Sequence, residues 1–388
     1  MGSCWRKIGV RYGVVMLCSF RLYGRRKYDV VVSDQSPAVN GMLRWLGCRV
    51  VFYCHFPDAL LGSGGWAVNK ASITDSSTGY YSESPEAKSV LEGHGKAGYN
   101  LRRAYRWCLD GLNRRGMRHA DLCACNSRFT LSKFHTVYGK DVPARVLYPC
   151  VPDDVEAELS RGPGTDSGDG KRCPYLLSLN RFEEKKRHER AIRAVLHARR
   201  QTGIRLRLVC CGGAQTPAEW AYLRRLQSLA NETEAKTETD TTETETEART
   251  GGRTSIGTSI ETETGSSGVI QFVVNCTDAE RRQLLRHSCG LVYTPSDEHF
   301  GIGPLEAMAF GKPVIAVNSG GPRETVQHGL TGWLVASEAE MTQAVATLDR
   351  APTGTMTERC RTAAQAFSFA VFRRDIKTII ETVFNGAQ

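Results

Sequence analysis

The sequence lacks any run of about twenty apolar residues, which excludes a membrane-spanning helix of ordinary length. The longest apolar stretch near its start, Val14 to Phe20, is short and bounded by Arg11 and Arg21. Such a segment suits a core or interfacial helix rather than a span or a signal peptide. No Asp-x-Asp pair occurs, and the 14 cysteines never adopt the paired spacing of a structural zinc site, so no metal centre and no cofactor are expected. The cysteines lie instead in apolar, strand-like runs such as LVCCGG (Cys210, Cys211) and DLCACN (Cys123, Cys125). They read as buried free thiols of a reducing compartment.

What is present is a chain of 388 residues, 41% hydrophobic and 24% charged, long enough for two domains with separate cores. The net charge of +10 calls for an anionic partner: nucleic acid, acidic lipid headgroups or a diphosphate. Nucleic acid is set aside, because no aromatics interleave with a basic face and no recognised module occurs.

From Lys27 onward, short β-branched runs alternate with helical segments, the pattern of a parallel sheet covered by helices. Strands are predicted at Asp29 to Ser33, Arg49 to Cys54, Asp121 to Ala124 and Ala144 to Tyr148. A second series follows at Tyr175 to Leu179, Leu206 to Cys210, Val269 to Val273, Gly290 to Thr294 and Pro313 to Val317. The expected organisation is an N-terminal Rossmann-like domain over 1–159, a linker over 160–170 and a C-terminal Rossmann-like domain over 171–388. Residues 61–98 are expected to form a loop insertion, and residues 231–268, built around TETDTTETETEART, a disordered one. Thr277 and Glu280 have the spacing of a capping box, which starts a helix near Asp278. The last amphipathic segment, Phe367 to Phe384, fits packing on either domain.

The densest chemical signal is PSDEHFGIGPLEAMAFG, Pro295 to Gly311. It reads as a loop after a strand, then a short helix bounded by Pro304 and Gly311. Gly301, Ile302 and Gly303 bring backbone N–H groups and a helix N-terminus towards a ligand, which suits a diphosphate. Glu298 and Glu306 lie on either side of that cradle and can accept hydrogen bonds from sugar and ribose hydroxyls. Upstream, SLNRFEEKKRHERAI puts Arg181 just after a strand and Lys186 before the next helix, two cations suited to a departing diphosphate. In the first half, VVFYCHFPDALL ends a strand with His55.

These residues resemble a known family. The EHFGI and PLEAM segments, followed by PVIAVNSGGPRETV, are similar to the donor site of retaining GT-B glycosyltransferases. VVVSDQ, HFPD, CNSRFT and VLYPC are similar to GDP-mannose-dependent α-1,3/1,6-mannosyltransferases of dolichol-linked oligosaccharide assembly. The resemblance implies an α/β fold of two Rossmann-like domains facing a cleft. It assigns the ribose to Glu306, the transferred sugar to Glu298, the diphosphate to Gly301–Gly303 with Arg181 and Lys186, and a hexose or acceptor contact to His55. It also implies front-side attack assisted by the departing phosphate. Family members begin with a strand and a glycine-rich loop; no glycine pair precedes Asp29, so the N-terminal domain is expected to be truncated.

The implied activity is transfer of mannose from GDP-mannose to Man-GlcNAc-GlcNAc-diphosphodolichol, α-1,3 and then α-1,6, without a metal ion. Its expected place is the cytosolic face of the endoplasmic reticulum membrane, with the membrane surface and other early mannosyltransferases as partners. Rival readings are a GT-B enzyme with another donor, a sugar-nucleotide epimerase, and a non-catalytic nucleotide-sugar-binding subunit.

Overall fold

The computed structural model describes residues 28–34, 36–60, 96–159, 175–239, 268–350 and 353–386. The opening apolar stretch, Gln35, residues 61–95 of the expected loop, the 160–170 linker and residues 240–267 of the polar insertion lie outside these. The chain divides into two compact units, 1–150 together with 369–388, and 151–368.

The first unit runs β1 (Val30–Ser33), α1 (Asn40–Trp45), β2 (Arg49–Cys54), α2 (Lys96–Met117), β3 (Leu122–Cys125), α3 (Arg128–Tyr138) and β4 (Ala144–Val146). Its four strands pair in parallel in the order β1-β2-β3-β4. Consecutive parallel strands joined by right-handed crossovers put every connecting helix on one face, so the other face must be covered from elsewhere. The side-chain alternation of β2 shows how this is met. Phe52 and Cys54 pack with Cys123, Cys125, Met117 and Phe134 on the connecting-helix side. Val51 and Tyr53 face the other way and meet Phe372, Ile376, Ile379 and Val383. Those residues belong to the last helix, Phe369–Asn385, which therefore completes the first unit.

The second unit contains α4 (Asp153–Leu159), β5 (Tyr175–Leu179), α5 (His188–Thr202), β6 (Arg207–Gly212), α6 (Pro217–Thr239) and β7 (Ile270–Val274). It continues with α7 (Asp278–His287), β8 (Gly290–Tyr293), α8 (Ile302–Ala309), β9 (Val314–Val317), α9 (Pro322–Thr325), β10 (Gly332–Val335), α10 (Glu338–Arg350) and α11 (Thr353–Gln365). Its six strands are all parallel, in the order β10-β9-β8-β5-β6-β7. α5, α6 and α10 close one core around Leu176, Leu208, Val292 and Ile315. α8 packs with α11 and α4.

Four sequence expectations are corrected. Residues 153–159 belong to the second unit, because α4 buries Val155 and Leu159 and packs with α8 and α11 there. The last helix belongs to the first unit, for the reason just given. Lys96–Gly98 begin α2 rather than ending a loop, and Asn231–Thr239 continue α6, whose amphipathic part buries Leu223, Leu226 and Ala230. A fifth finding is an addition: β10 closes the sheet edge beside β9.

Ile376 is 2% exposed in the first unit's core. Ile376→Ala should destabilise that unit by about 2–5 kcal/mol. In native-state hydrogen exchange, β1–β4 should lose protection while β5–β10 retain theirs; an equal loss in both sheets would contradict this packing.

Candidate donor site

Ligands of open parallel sheets bind at the carboxyl ends of the strands, at the point where strand order reverses. In the second unit β5 is flanked by β6 on one side and by β8 on the other, so the reversal lies between β5 and β8. The segments leaving these two strands carry most of the candidate residues.

The segment after β5 is held from several sides. Asn180 N–H donates to Cys211 O at 3.1 Å and Phe182 N–H to Gly213 O at 2.9 Å. Gly212 permits this approach, since a Cβ there would lie 1.8 Å from Asn180 O. Past the tight turn Glu184–Lys186, Arg187 adopts a left-handed conformation (φ 51°) and α5 starts at His188. The fully buried His188 ring sits 3.1 Å from Ser178 Oγ and 3.2 Å from Arg181 O, bracing the turn from below. Burial pushes its pKa down to about 4, against the smaller opposing effect of the Arg181 and Asn180 backbone.

β8 supplies the opposite wall. Buried Thr294 donates to Lys186 O at 2.6 Å, which ties the two segments together. Lys186 Nζ then lies 2.5 Å from Glu298 Oε2, with both side chains largely shielded from solvent. Burial alone raises the Glu298 pKa, but the Lys186 charge and hydrogen bond, with help from His299 and the Tyr293 hydroxyl, outweigh it and hold the carboxyl below its usual range.

The loop after β9 clamps this wall. Ser319 Oγ donates to Asp297 Oδ1 at 2.5 Å and accepts from Asp297 N–H at 3.0 Å, while Gly321 N–H donates to Glu298 O at 2.7 Å. A Cβ at Gly321 would lie 2.2 Å from Phe300 O, and Gly320 combines φ +64° with a Cβ position 2.4 Å from Glu298 O. Only glycine fits both positions. Gly301 (φ 82°) caps α8 in a left-handed conformation, and Ile302 and Gly303 form its first turn. A Cβ on Gly303 would touch the Tyr293 ring at 3.4 Å. These first-turn N–H groups and the positive end of the helix suit a phosphate.

The remaining candidates are placed differently. Arg181 Nη1 pairs with Glu183 Oε1 at 2.5 Å while its side chain stays mostly exposed. Glu306 is buried, and Arg281 Nη1 of α7 lies 2.5 Å from its Oε2. Burial raises the Glu306 pKa while Arg281 opposes the rise. His55 belongs to the first unit, at the carboxyl end of β2. Its Nε2 is 4.0 Å from Oδ2 of Asp34, which follows the neighbouring β1, and its ring meets Tyr53 edge-on. Among the described residues, no three His, Cys, Asp or Glu side chains gather as a metal site.

Sequence reasoning missed Tyr293, Thr294, His188 and Arg281 as parts of this site, and had Gly320–Gly321 only within the PVIAVNSGGPRETV resemblance. The glycines carried a readable signal, two in a row before a Pro-initiated helix; Arg281 sits in a run of charges that nothing distinguishes.

His188 makes the second unit acid-sensitive. The unfolded ring takes up a proton near its ordinary 6.5 and the folded one only near 4. Its contribution of up to about 3 kcal/mol is therefore complete above that ordinary value and is lost as pH falls towards 4. Urea midpoints measured at pH 7 and pH 5 should differ more in the wild type than in His188→Gln; an identical difference would sink the assignment.

Residues 260–367 match the glycosyl transferases group 1 family, and residues 9–155 match Glycosyltransferase Family 4. The fold is shared with solved GT-B structures. One is Anabaena Alr3699/HepE in complex with UDP, with a TM-score of 0.59 and 15% identity, covering 95% of this chain and 82% of that one. Another is the α,α-trehalose 6-phosphate synthase of Burkholderia multivorans, with a TM-score of 0.61 and 14% identity, covering 100% and 81%. In sequence, the chain is 32% identical to the α-1,3/1,6-mannosyltransferase ALG2 of Saccharomyces cerevisiae, over 79% of this chain and 55% of the yeast protein. It is 30% identical to the Rhizomucor pusillus protein of the same name, over 84% and 64%. The chain thus spans less than two thirds of the length of these two relatives. Against the Candida glabrata protein the figures are 31% identity, 86% of this chain and 68% of the relative. On this similarity, carried through both units, the chain belongs to the ALG2 family of α-1,3/1,6-mannosyltransferases.

Proposed function

We propose that the chain transfers mannose from GDP-mannose to Man-GlcNAc-GlcNAc-diphosphodolichol, α-1,3 and then α-1,6, with retention of configuration. The observation that carries this reading is the Lys186–Glu298 contact at the strand-order reversal. It places a cation beside a carboxyl held below its usual range, with α8 starting at Ile302, four residues beyond Glu298.

Each residue then has a task set by charge. As the glycosidic bond breaks, negative charge accumulates on the leaving diphosphate, and Lys186, Arg181 and the Gly301–Gly303 backbone stabilise it. Glu298 accepts hydrogen bonds from mannose hydroxyls, and Glu306 from the ribose. His55, on the first unit, contacts the hexose or the acceptor. No divalent ion is needed, since the two cations and the helix end do its work. Activity should survive EDTA; its loss, restored by Mg²⁺ or Mn²⁺, would refute this point.

The setting is the cytosolic face of the endoplasmic reticulum membrane, in contact with other early mannosyltransferases. Among the described residues no helix is long and apolar enough to cross a membrane. α2 exposes Trp107, Leu112 and Arg115, and exposed Arg118 follows its last residue, a composition suited to an anionic interface.

The test incubates wild type and Glu298→Ala with GDP-mannose and a lipid-linked Man-GlcNAc-GlcNAc acceptor, counting added hexoses by mass spectrometry. The wild type should add hexose, and Glu298→Ala should be slower by roughly 100-fold or more, because the transferred sugar loses its positioning hydrogen bonds and Lys186 its partner. Donor binding without transfer would favour the reading as a nucleotide-sugar-binding subunit; transfer from another nucleotide sugar would redirect the donor assignment.

A further inference from the structure

Glu306 poses an electrostatic problem. Its carboxylate is only 4% exposed, and a ribose diol presents two O–H donors, which an ionised carboxylate accepts more strongly than a neutral one. A carboxyl buried without a cation takes up a proton instead. Arg281 supplies the cation, and its position is set by more than this one contact. The capping box of Thr277 and Glu280 fixes the first turn of α7. Arg281 Nη2 lies 2.7 Å from Asp154 Oδ2 on α4, and Arg282 Nη1 shares that oxygen at 2.9 Å. One turn further along, Arg286 Nη2 donates to Glu158 Oε1 at 2.6 Å. The guanidinium of Arg281 thus bridges two carboxylates through separate nitrogens, which a planar fork can do and an ammonium does poorly.

We propose that Arg281 is a positioning residue for nucleotide recognition: gripping Glu306 Oε2, and itself held by Asp154, it presents Oε1 to the 2′- and 3′-hydroxyls of the donor ribose. This rests on the assignment of Glu306 to the ribose made above.

The test is the ratio of Kd values for GDP and 2′,3′-dideoxy-GDP, measured by calorimetry on the full chain. The variants are Glu306→Gln, Arg281→Met, Arg281→Lys and Asp154→Asn, each checked for folding by circular dichroism. A merely structural loss weakens both nucleotides alike and leaves the ratio unmoved. The wild type should prefer GDP by roughly 10- to 100-fold, the worth of hydrogen bonds to a charged group. Arg281→Met should erase most of that preference, Arg281→Lys should keep part of it, and Asp154→Asn should reduce it. A folded Arg281→Met that keeps the wild-type ratio overturns the proposal. Should that variant not fold, unchanged ratios in both Arg281→Lys and Asp154→Asn overturn it equally. A wild-type ratio in Glu306→Gln, or no preference in the wild type, overturns the ribose assignment itself.

Discussion

An ion pair between residues 112 positions apart organises the second unit: Lys186, arriving from β5, and Glu298, arriving from β8. The two strands are neighbours only because the sheet order reverses there, so the pair exists only when the whole sheet has its register. Its surroundings answer to it. Thr294 fixes the backbone of the lysine, Tyr293 and the β9 loop fix the carboxylate, and His188 props the turn between Arg181 and α5. Thr294, Tyr293 and His188 are buried, so these supports depend on side-chain packing rather than on surface charge. A charge pair so shielded is costly unless it is well satisfied, and these supports supply the geometry that satisfies it.

Much of the fold could be read from hydrophobic runs bounded by turn residues. Arg49–Cys54 and Tyr175–Leu179 were readable to the residue, because each is mostly apolar, polar only at Arg49 and Ser178, and buried on both faces over most of its length. The Thr277–Glu280 box was readable because capping is a local interaction. β10 was not. Gly332–Val335 is four residues long, lies at an edge and keeps Trp333 and Leu334 half-buried, and an apolar run as short as Trp333 to Ala336 does not by itself tell a strand from other structure. Helices posed another difficulty. An amphipathic face shows that a helix is buried but not against which sheet, and both α4 and the last helix went to the unit that sequence order alone would not choose. In the site, the glutamates, glycines and cations were visible as a motif. The role of Arg281 was not, because its meaning comes from a contact across 25 residues, to a helix whose own apolar signal dominates.

The thiols bear on how the cores are filled. Of the described cysteines, Cys54, Cys123, Cys125, Cys210 and Cys211 lie in or at the ends of buried strands, and Cys360 in α11. Burial pushes the Cys210 and Cys360 thiols up to about 12, so they stay protonated and act as small apolar fillers. Cys54 and Cys125 sit opposite each other on β2 and β3, where little space remains between strands and helices. Cys211 Sγ and Cys276 Sγ, 3.0 Å apart, meet beside the turn that leads into α7.

The last helix has a consequence for how the protein is made. The second unit is one continuous stretch of chain, whereas the first is completed by residues 369–385. During synthesis, the apolar face formed by Val51, Tyr53 and Leu122 emerges early and waits through the translation of more than two hundred further residues for its cover. At ribosomal speeds of about 5–20 residues per second, that interval is on the order of ten seconds or more. The domain that emerges first is finished last, and through that delay its sheet is a natural client for chaperones.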